Sequence, residues 1–374
     1  MRLSFYLARR FLAAFVMMLG IFFAFLFMID MVEQLRKFTS AAVGLPQAAV
    51  LSLLNVPASL YSILPLIIVL AAIVMFLGLA RNSELVVIRA AGRSGMAIVA
   101  APMVVALALG GLGVAFVNPI VAATTKRVET LSESYRSGGS QTISIDREGV
   151  WLRQGGGEDE TGAAGDATQA VIRAARANAD ATTLFDVTFL IFAPEKGPIR
   201  RISADKAVLG QGEWRLTGVK DWRLAASDNP ERDALEVPQL NLPSDLTPER
   251  IRDGFGAPSA IPFWELPAFI DGLQRAGFSA RRHQVWFQME LALPLMLASM
   301  VLVAAGFTMR HSRMGGTGTM VLLALASGLG AYFLRNMAQV LGDNGQIPVA
   351  LAAWMPPVVA LLAAGALLLA REDG

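Results

Sequence analysis

In 374 residues the chain has no cysteine, two histidines and five lysines. Without a thiol there is no disulfide framework, no thiolate metal site and no cysteine nucleophile. None of the lysines (Lys37, Lys126, Lys196, Lys206 and Lys220) follows a glycine. The Gly-Lys-Ser/Thr turn that lets backbone amides and a lysine hold nucleotide phosphates is therefore missing, and the chain carries no Walker ATPase site. Charge is scarce as well, at 17% of residues against roughly 25% in an ordinary soluble domain. The net charge of +2 is too small to suggest nucleic acid.

Apolar residues fill the gap, at 54% of the chain with a mean hydropathy of +0.51. Six stretches lack Asp, Glu, Lys and Arg: about 11–29, 56–80, 97–123, 291–309, 317–334 and 347–370. Each approaches the ~20 residues that cross a bilayer core as helix. The first follows Arg2, Arg9 and Arg10 but outruns a signal-peptide core and precedes no small-x-small cleavage site, so it reads as a retained span. Arg2, Arg9, Arg10, Arg81, Arg89, Arg93, Arg310, Arg313 and Arg371 fall in one set of short segments; Arg36, Lys37 and Arg335 fall in the other. The positive-inside rule then predicts cytoplasmic termini and a cytoplasmic 81–96 loop, with the polar insert outside. On that arrangement His283 and His311 stand at opposite membrane boundaries, where they supply neither a metal pair nor one hydrolytic triad.

Within the insert the hydrophobic period changes to two. Phe185, Val187, Phe189 and Ile191 share a face in "TLFDVTFLIFA", and Trp214, Leu216, Trp222 and Leu224 are in phase in "GEWRLTGVKDWRL". With "TISIDREGVWLRQ" these predict antiparallel strands of a sandwich or jelly roll. The run "GGGEDETGAAGDA" predicts a disordered loop. Beyond the strands, Phe263, Leu266, Phe269, Ile270 and Leu273 have helical spacing. That helix either lies on the outer membrane surface or packs on the β domain. The expected fold is a six-span helical membrane protein (3 + 3) with an inserted all-β, jelly-roll-like periplasmic domain. Its expected divisions are residues 1–123, 124–260, 261–283 (the amphipathic helix) and 284–374.

Ion-driven carriers place carboxylates or histidines at mid-membrane. Here the centres of all six stretches lack them, and Asp30 and Glu290 are expected at interfacial, solvated ends. No catalytic or metal-ligating constellation is expected, no cofactor is expected on this chain, and the energy source must be a partner. That directs attention to "SELVVIRAAGRSG", a short helix between the second and third stretches. Ser83 is the expected N-cap, Glu84 and Arg89 suit the dipole at either end, Gly92 ends the helix, and Leu85 and Ile88 share a face. Either it rests among lipid headgroups or it docks on a cytoplasmic ATPase.

Several segments carry a family resemblance: "YLARRFLAAF", "MIDMVEQLRKF" closing the first stretch, "RNSELVVIRAAGRSG", "GVWLR" opening the β domain, and "GQIPVALAAWMPPVVALL" in the last stretch. In this order they resemble the LptF/LptG family of lipopolysaccharide export permeases, and "MVEQLRK" is nearer the LptG branch than the LptF branch. The resemblance implies a subunit in the bacterial inner membrane, paired with an LptF-type sibling permease. It also implies an LptB-type ATPase dimer that binds the ATP, an LptC-type single-span jelly-roll protein, and lipopolysaccharide as substrate. It places ATPase coupling on Ser83, Glu84, Leu85, Ile88, Arg89 and Gly92. Lipid contact would fall on the aromatic wall of Phe22, Phe25 and Phe27 and on the cations Arg36, Lys37 and Arg335, since arginine binds phosphate strongly. Where some relatives carry a further basic residue this chain has Asp30, so Arg335 or a partner's cation is expected to compensate. The alternatives are the LptF-type role in the same complex, or a force-transmitting or scaffold protein that moves no lipid.

Overall fold

Among the described residues, six helices are long and apolar enough to cross a membrane. A computed structural model describes residues 2–37, 44–136, 143–146, 149–155, 169–178, 182–193, 197–210, 212–225, 229–244, 246–247, 251, 257–309 and 317–372. The run expected to be disordered lies outside these residues apart from Gly155, as does His311. Two compact units result: residues 1–136, 258–264 and 281–374 form one, and residues 137–257 and 265–280 the other.

In the helical unit α1 (Arg2–Lys37) is unbroken for 36 residues. That is about 54 Å of helix, well beyond the ~30 Å hydrocarbon core. α2 (Leu45–Ser62) and α3 (Leu64–Arg81) are separated by Ile63 alone. α4 (Glu84–Ala90) is the short connecting helix. α5 (Gly95–Leu112) passes through a π-helical turn, Gly113–Val117, into α6 (Asn118–Arg136), so the third span continues past residue 123. After the other unit come α8 (Arg281–Thr308), α9 (Thr317–Asp343) and α10 (Val349–Glu372). The central helix is α8, which packs against α3, α5, α9 and α10. Ile67, Ile68, Phe76, Leu297, Met300 and Val301 are fully covered at these contacts. Because lipid tails are as apolar as leucine, close packing holds such helices together and small residues set the distance. At Gly110 an added Cβ would lie 2.5 Å from Pro294 Cα, and at Gly342 it would lie 2.6 Å from Ala352 Cβ.

The second unit is an antiparallel sheet of seven strands in the order β1 to β7: Ile143–Asp146, Gly149–Gly155, Gln169–Ala177, Thr183–Ala193, Gly197–Leu209, Glu213–Arg223 and Leu235–Pro243. Each strand pairs with its sequence neighbour, so the described sheet is an up-and-down meander. The strict alternation expected along it does not hold. Ala174 and Ala177, Leu184 and Val187, Ala204 and Ala207, and Leu216 and Val219 are all buried, three apart instead of two. Asp186 (φ 52°) and Gly218 (φ 67°) take left-handed conformations on this line, which lets the pleat change phase across neighbouring strands. Phe185 is consequently only half-buried, and Trp222 falls out of phase with Trp214 and Leu216. Arg201 and Lys220 lie over the Trp222 ring at 4.9 and 5.1 Å, and its indole N–H donates to Glu231 at 2.7 Å.

The amphipathic helix is α7 (Leu266–Arg275). Leu273, Phe269 and Ile270 join the sheet core with Trp214, Phe189 and Ile172. Of the two readings of its apolar face, packing on the β domain is the one observed. Phe263 precedes the helix and belongs instead to the core of the helical unit.

Candidate functional site

Tyr6 and Arg10 stand four residues apart on α1 and so share a face, with the guanidinium 5.3 Å from the tyrosine ring centre. That face meets α4. The Tyr6 hydroxyl donates to Glu84 at 2.7 Å, Arg10 pairs with the same carboxylate at 2.9 Å, and the Asn82 amide donates at 3.3 Å. Burial works against ionisation of Glu84, but the donors Tyr6 and Asn82 and the charge of Arg10 outweigh it and hold the carboxyl below its usual range. A lowered folded pKa contributes stability above the ordinary carboxylate range, and that contribution is lost as pH falls through the lowered value. Glu84 thus fastens α4 to α1 and does not project from the helix.

Ser83 is not the expected cap. Its φ of 56° is left-handed and its side chain makes no capping bond, because a capping side chain reaches the first amides only from an extended backbone. Ser94, extended at φ −66° and ψ 156°, does cap α5 by accepting from Ala97 N–H at 3.2 Å. Gly92, at φ 76°, ends α4 as expected: the Gly92 and Arg93 amides bond the Arg89 and Ile88 carbonyls, a Schellman turn. Leu85 and Ile88 are buried in the core of the helical unit and anchor α4 there. Arg89 is half-buried with its Nε sealed from solvent. The large apolar side chains that α4 leaves bare are Val86 and Val87, 45% and 68% exposed, which the sequence reading passed over. The available signal was that two valines fall off the Leu85–Ile88 face of a seven-residue helix.

On α1 the aromatic wall divides. Phe22 and Phe27 pack against the core, Phe23 stacks on Phe27 with centroids 6.4 Å apart, and Phe25 is exposed. Arg36 and Lys37 both pair with Glu33, at 3.6 and 3.4 Å. Exposed ion pairs of this kind contribute ~0–1 kcal/mol, so Glu33 holds the two cations only loosely. Asp30 is not a solvated rim charge: it accepts from Asn55 at 2.7 Å and Gln34 at 3.4 Å, tying α1 to α2. Nor does Glu290 sit at a solvated end. It is 1% exposed within α8 and accepts a hydrogen bond from the Tyr61 hydroxyl. Arg335, expected on the outer rim, lies inside α9 and faces Glu290 and Tyr61 electrostatically. Both helices extend past the charges at which the apolar stretches end.

Residues 5–370 match the family model for the lipopolysaccharide export system permease LptF/LptG. The chain is similar to the lipopolysaccharide export system permease protein LptG of Haemophilus influenzae, 24% identical over 354 residues that cover 92% of each protein. It is also similar to that of Escherichia coli K12, 24% identical over 348 residues, covering 89% of this chain and 86% of that one.

Proposed function

This chain belongs to the LptF/LptG family of lipopolysaccharide export permeases, and we propose that it is the LptG-type subunit, working beside an LptF-type sibling. In this reading both termini and α4 are cytoplasmic and the seven-stranded domain is periplasmic, as the arginine distribution favours. An LptB-type ATPase dimer docks on α4. The permease pair takes lipopolysaccharide from the outer leaflet of the inner membrane, and the periplasmic β domains, with an LptC-type partner, pass it on. As the ATPase closes, the helices approach and the acyl chains leave the shrinking cavity; coupling requires that the ATPase contact α4 differently in its two states.

The observation that carries the reading is α4 itself. A helix joining two spans is pinned by Glu84 to Tyr6 and Arg10, anchored by Leu85 and Ile88, and turns Val86 and Val87 outward. Affinity purification in mild detergent is expected to recover the ATPase, the sibling permease and lipopolysaccharide together. Val87→Glu is expected to lose the ATPase and keep the sibling; recovery of the ATPase in wild-type amount with that variant would move the docking surface elsewhere.

For the lipid, α1 offers the exposed Phe25 and, at its end, Arg36 and Lys37. A photoreactive residue at position 36 or 37 is expected to crosslink lipopolysaccharide in the assembled complex. If neither position crosslinks while other positions of the chain do, these cations are not part of the substrate path.

A further inference from the structure

Three prolines interrupt helical hydrogen bonding around one buried cluster of polar side chains. A proline has no N–H for the carbonyl four residues back. Pro65 therefore leaves Tyr61 without that bond where α2 gives way to α3, and Pro294 leaves Glu290 without it inside α8. Pro119 leaves Ala115 without it in the π-helical turn, and the Trp264 indole donates to the Ala115 carbonyl at 3.2 Å instead. π-turns and proline sites are where helices kink.

The side chains of these residues and their neighbours meet. Tyr61 donates to Glu290, and the side chain of Asn118, the first residue after the π-turn, lies beside both. Asn118 is 1% exposed and also accepts from the Phe263 amide at 2.8 Å. The Phe263 ring stacks on Phe287, one turn before Glu290. The second, third and fourth spans are thus tied together at the level where each is weakest. From α9, Arg335 is within electrostatic reach of Glu290 and Tyr61, and no hydrogen bond or ion pair among the described residues joins its guanidinium to either.

A buried charge is retained at a cost that an apolar core of the same volume avoids, and such groups are best attested where they select between states. We propose that Glu290 is an exchangeable lock. In the arrangement seen here Tyr61 holds its carboxylate, with Asn118 beside the pair and tied to Phe263, and the three interrupted helices stay in register. When α9 shifts, Arg335 takes the carboxylate and frees Tyr61 and Asn118, and the second and third spans bend at Ile63 and at the π-turn. The inference rests on the transport reading for its purpose but concerns an internal motion that is measurable apart from transport.

The test uses the complex with its sibling permease and ATPase in nanodiscs. Because this chain lacks native cysteine, spin labels at introduced Val104→Cys and Ile120→Cys report on it alone, against a control complex without them. Both positions are exposed and flank the π-turn, about 24 Å apart along a straight helix. Tyr61→Phe removes the lock's hydroxyl at nearly constant volume and is expected to move the nucleotide-free distances toward those of nucleotide-trapped wild type. Arg335→Gln is expected to hold them at the nucleotide-free values whatever nucleotide is added, with about a tenfold fall in lipopolysaccharide released per ATP, or ~1.4 kcal/mol of coupling. Glu290→Gln, which removes the attraction for Arg335, should behave like Arg335→Gln and serves if either other variant fails to assemble. A purely structural cluster moves all three the same way or not at all, and either result overturns the lock. So does a wild-type distribution indifferent to nucleotide. Label distances that respond as expected in a wild-type complex that releases no lipopolysaccharide would overturn the transport reading and leave the lock standing.

Discussion

Glu84→Ala is expected to leave the chain folded and to cut ATP-driven release of lipopolysaccharide by the assembled complex at least about tenfold. The argument is one of magnitudes. Glu84 and Arg10 are 26% and 35% exposed, where an ion pair is worth ~0–1 kcal/mol, and each of the two hydrogen bonds to the carboxylate, weakened by solvent at that exposure, adds about 1 kcal/mol. Losing the pair and the bonds from Tyr6 and Asn82 costs about 2–3 kcal/mol, less than the ~5–15 kcal/mol that holds a domain folded. Leu85 and Ile88 remain buried. The damage is therefore local: α4 loosens from α1 and no longer carries a push from below. ATP hydrolysis is expected to continue with lipid release at least about tenfold lower, the factor that corresponds to ~1.4 kcal/mol. Arg10→Ala decides how Glu84 acts. If it works by fastening α4 to α1, Arg10→Ala reproduces the defect; a normal Arg10→Ala complex would mean that Glu84 meets the ATPase directly. The same fastening weakens on acidification, since the Glu84 carboxyl titrates below its usual range and the contact is lost as protons are added through that lowered value.

Gly110→Ala is expected to have the largest effect on stability. The new Cβ would lie 2.5 Å from Pro294 Cα and 3.0 Å from both its Cβ and its nitrogen. Comfortable carbon contacts begin at ~3.5 Å, so α5 and α8 must separate by about 1 Å along their crossing. The atoms in the way are backbone and ring, which have no rotamer to change. Overpacking of this kind costs ~1–3 kcal/mol, and more when backbone must move. Since α8 touches four other helices, the displacement spreads through the helical unit. Thermal unfolding in detergent is expected to fall clearly below wild type, and a Gly110→Ala protein with an unchanged midpoint would mean that this crossing adjusts freely. Gly111, with nothing within 4 Å of an added Cβ, is the matched control.

Composition and periodicity alone were enough for the architecture. Runs of about 20 uncharged apolar residues have no stable place in water, which makes spans legible without tertiary contacts. Turn chemistry is equally local, so Gly92 was readable as the end of α4. The order of weak motifs likewise pointed to the family that the comparison supports. What stayed hidden depends on neighbours. Asp30, Glu290 and Arg335 looked like boundary charges because an apolar run stops at a charge, whereas a helix stops only where its backbone bonding stops. Tertiary contact with Asn55 and Tyr61 turns the first two into internal ties. Trp222 left its expected phase because Asp186 and Gly218 change the pleat together across paired strands, and no single strand records that. Glu84 was picked out by its place on a short helix, but the Tyr6 and Arg10 that hold it lie almost eighty residues away. Local sequence determines which segments leave water and where helices end; which polar groups face one another afterwards is decided by packing, since a buried donor or acceptor must find its partner wherever the fold brings one.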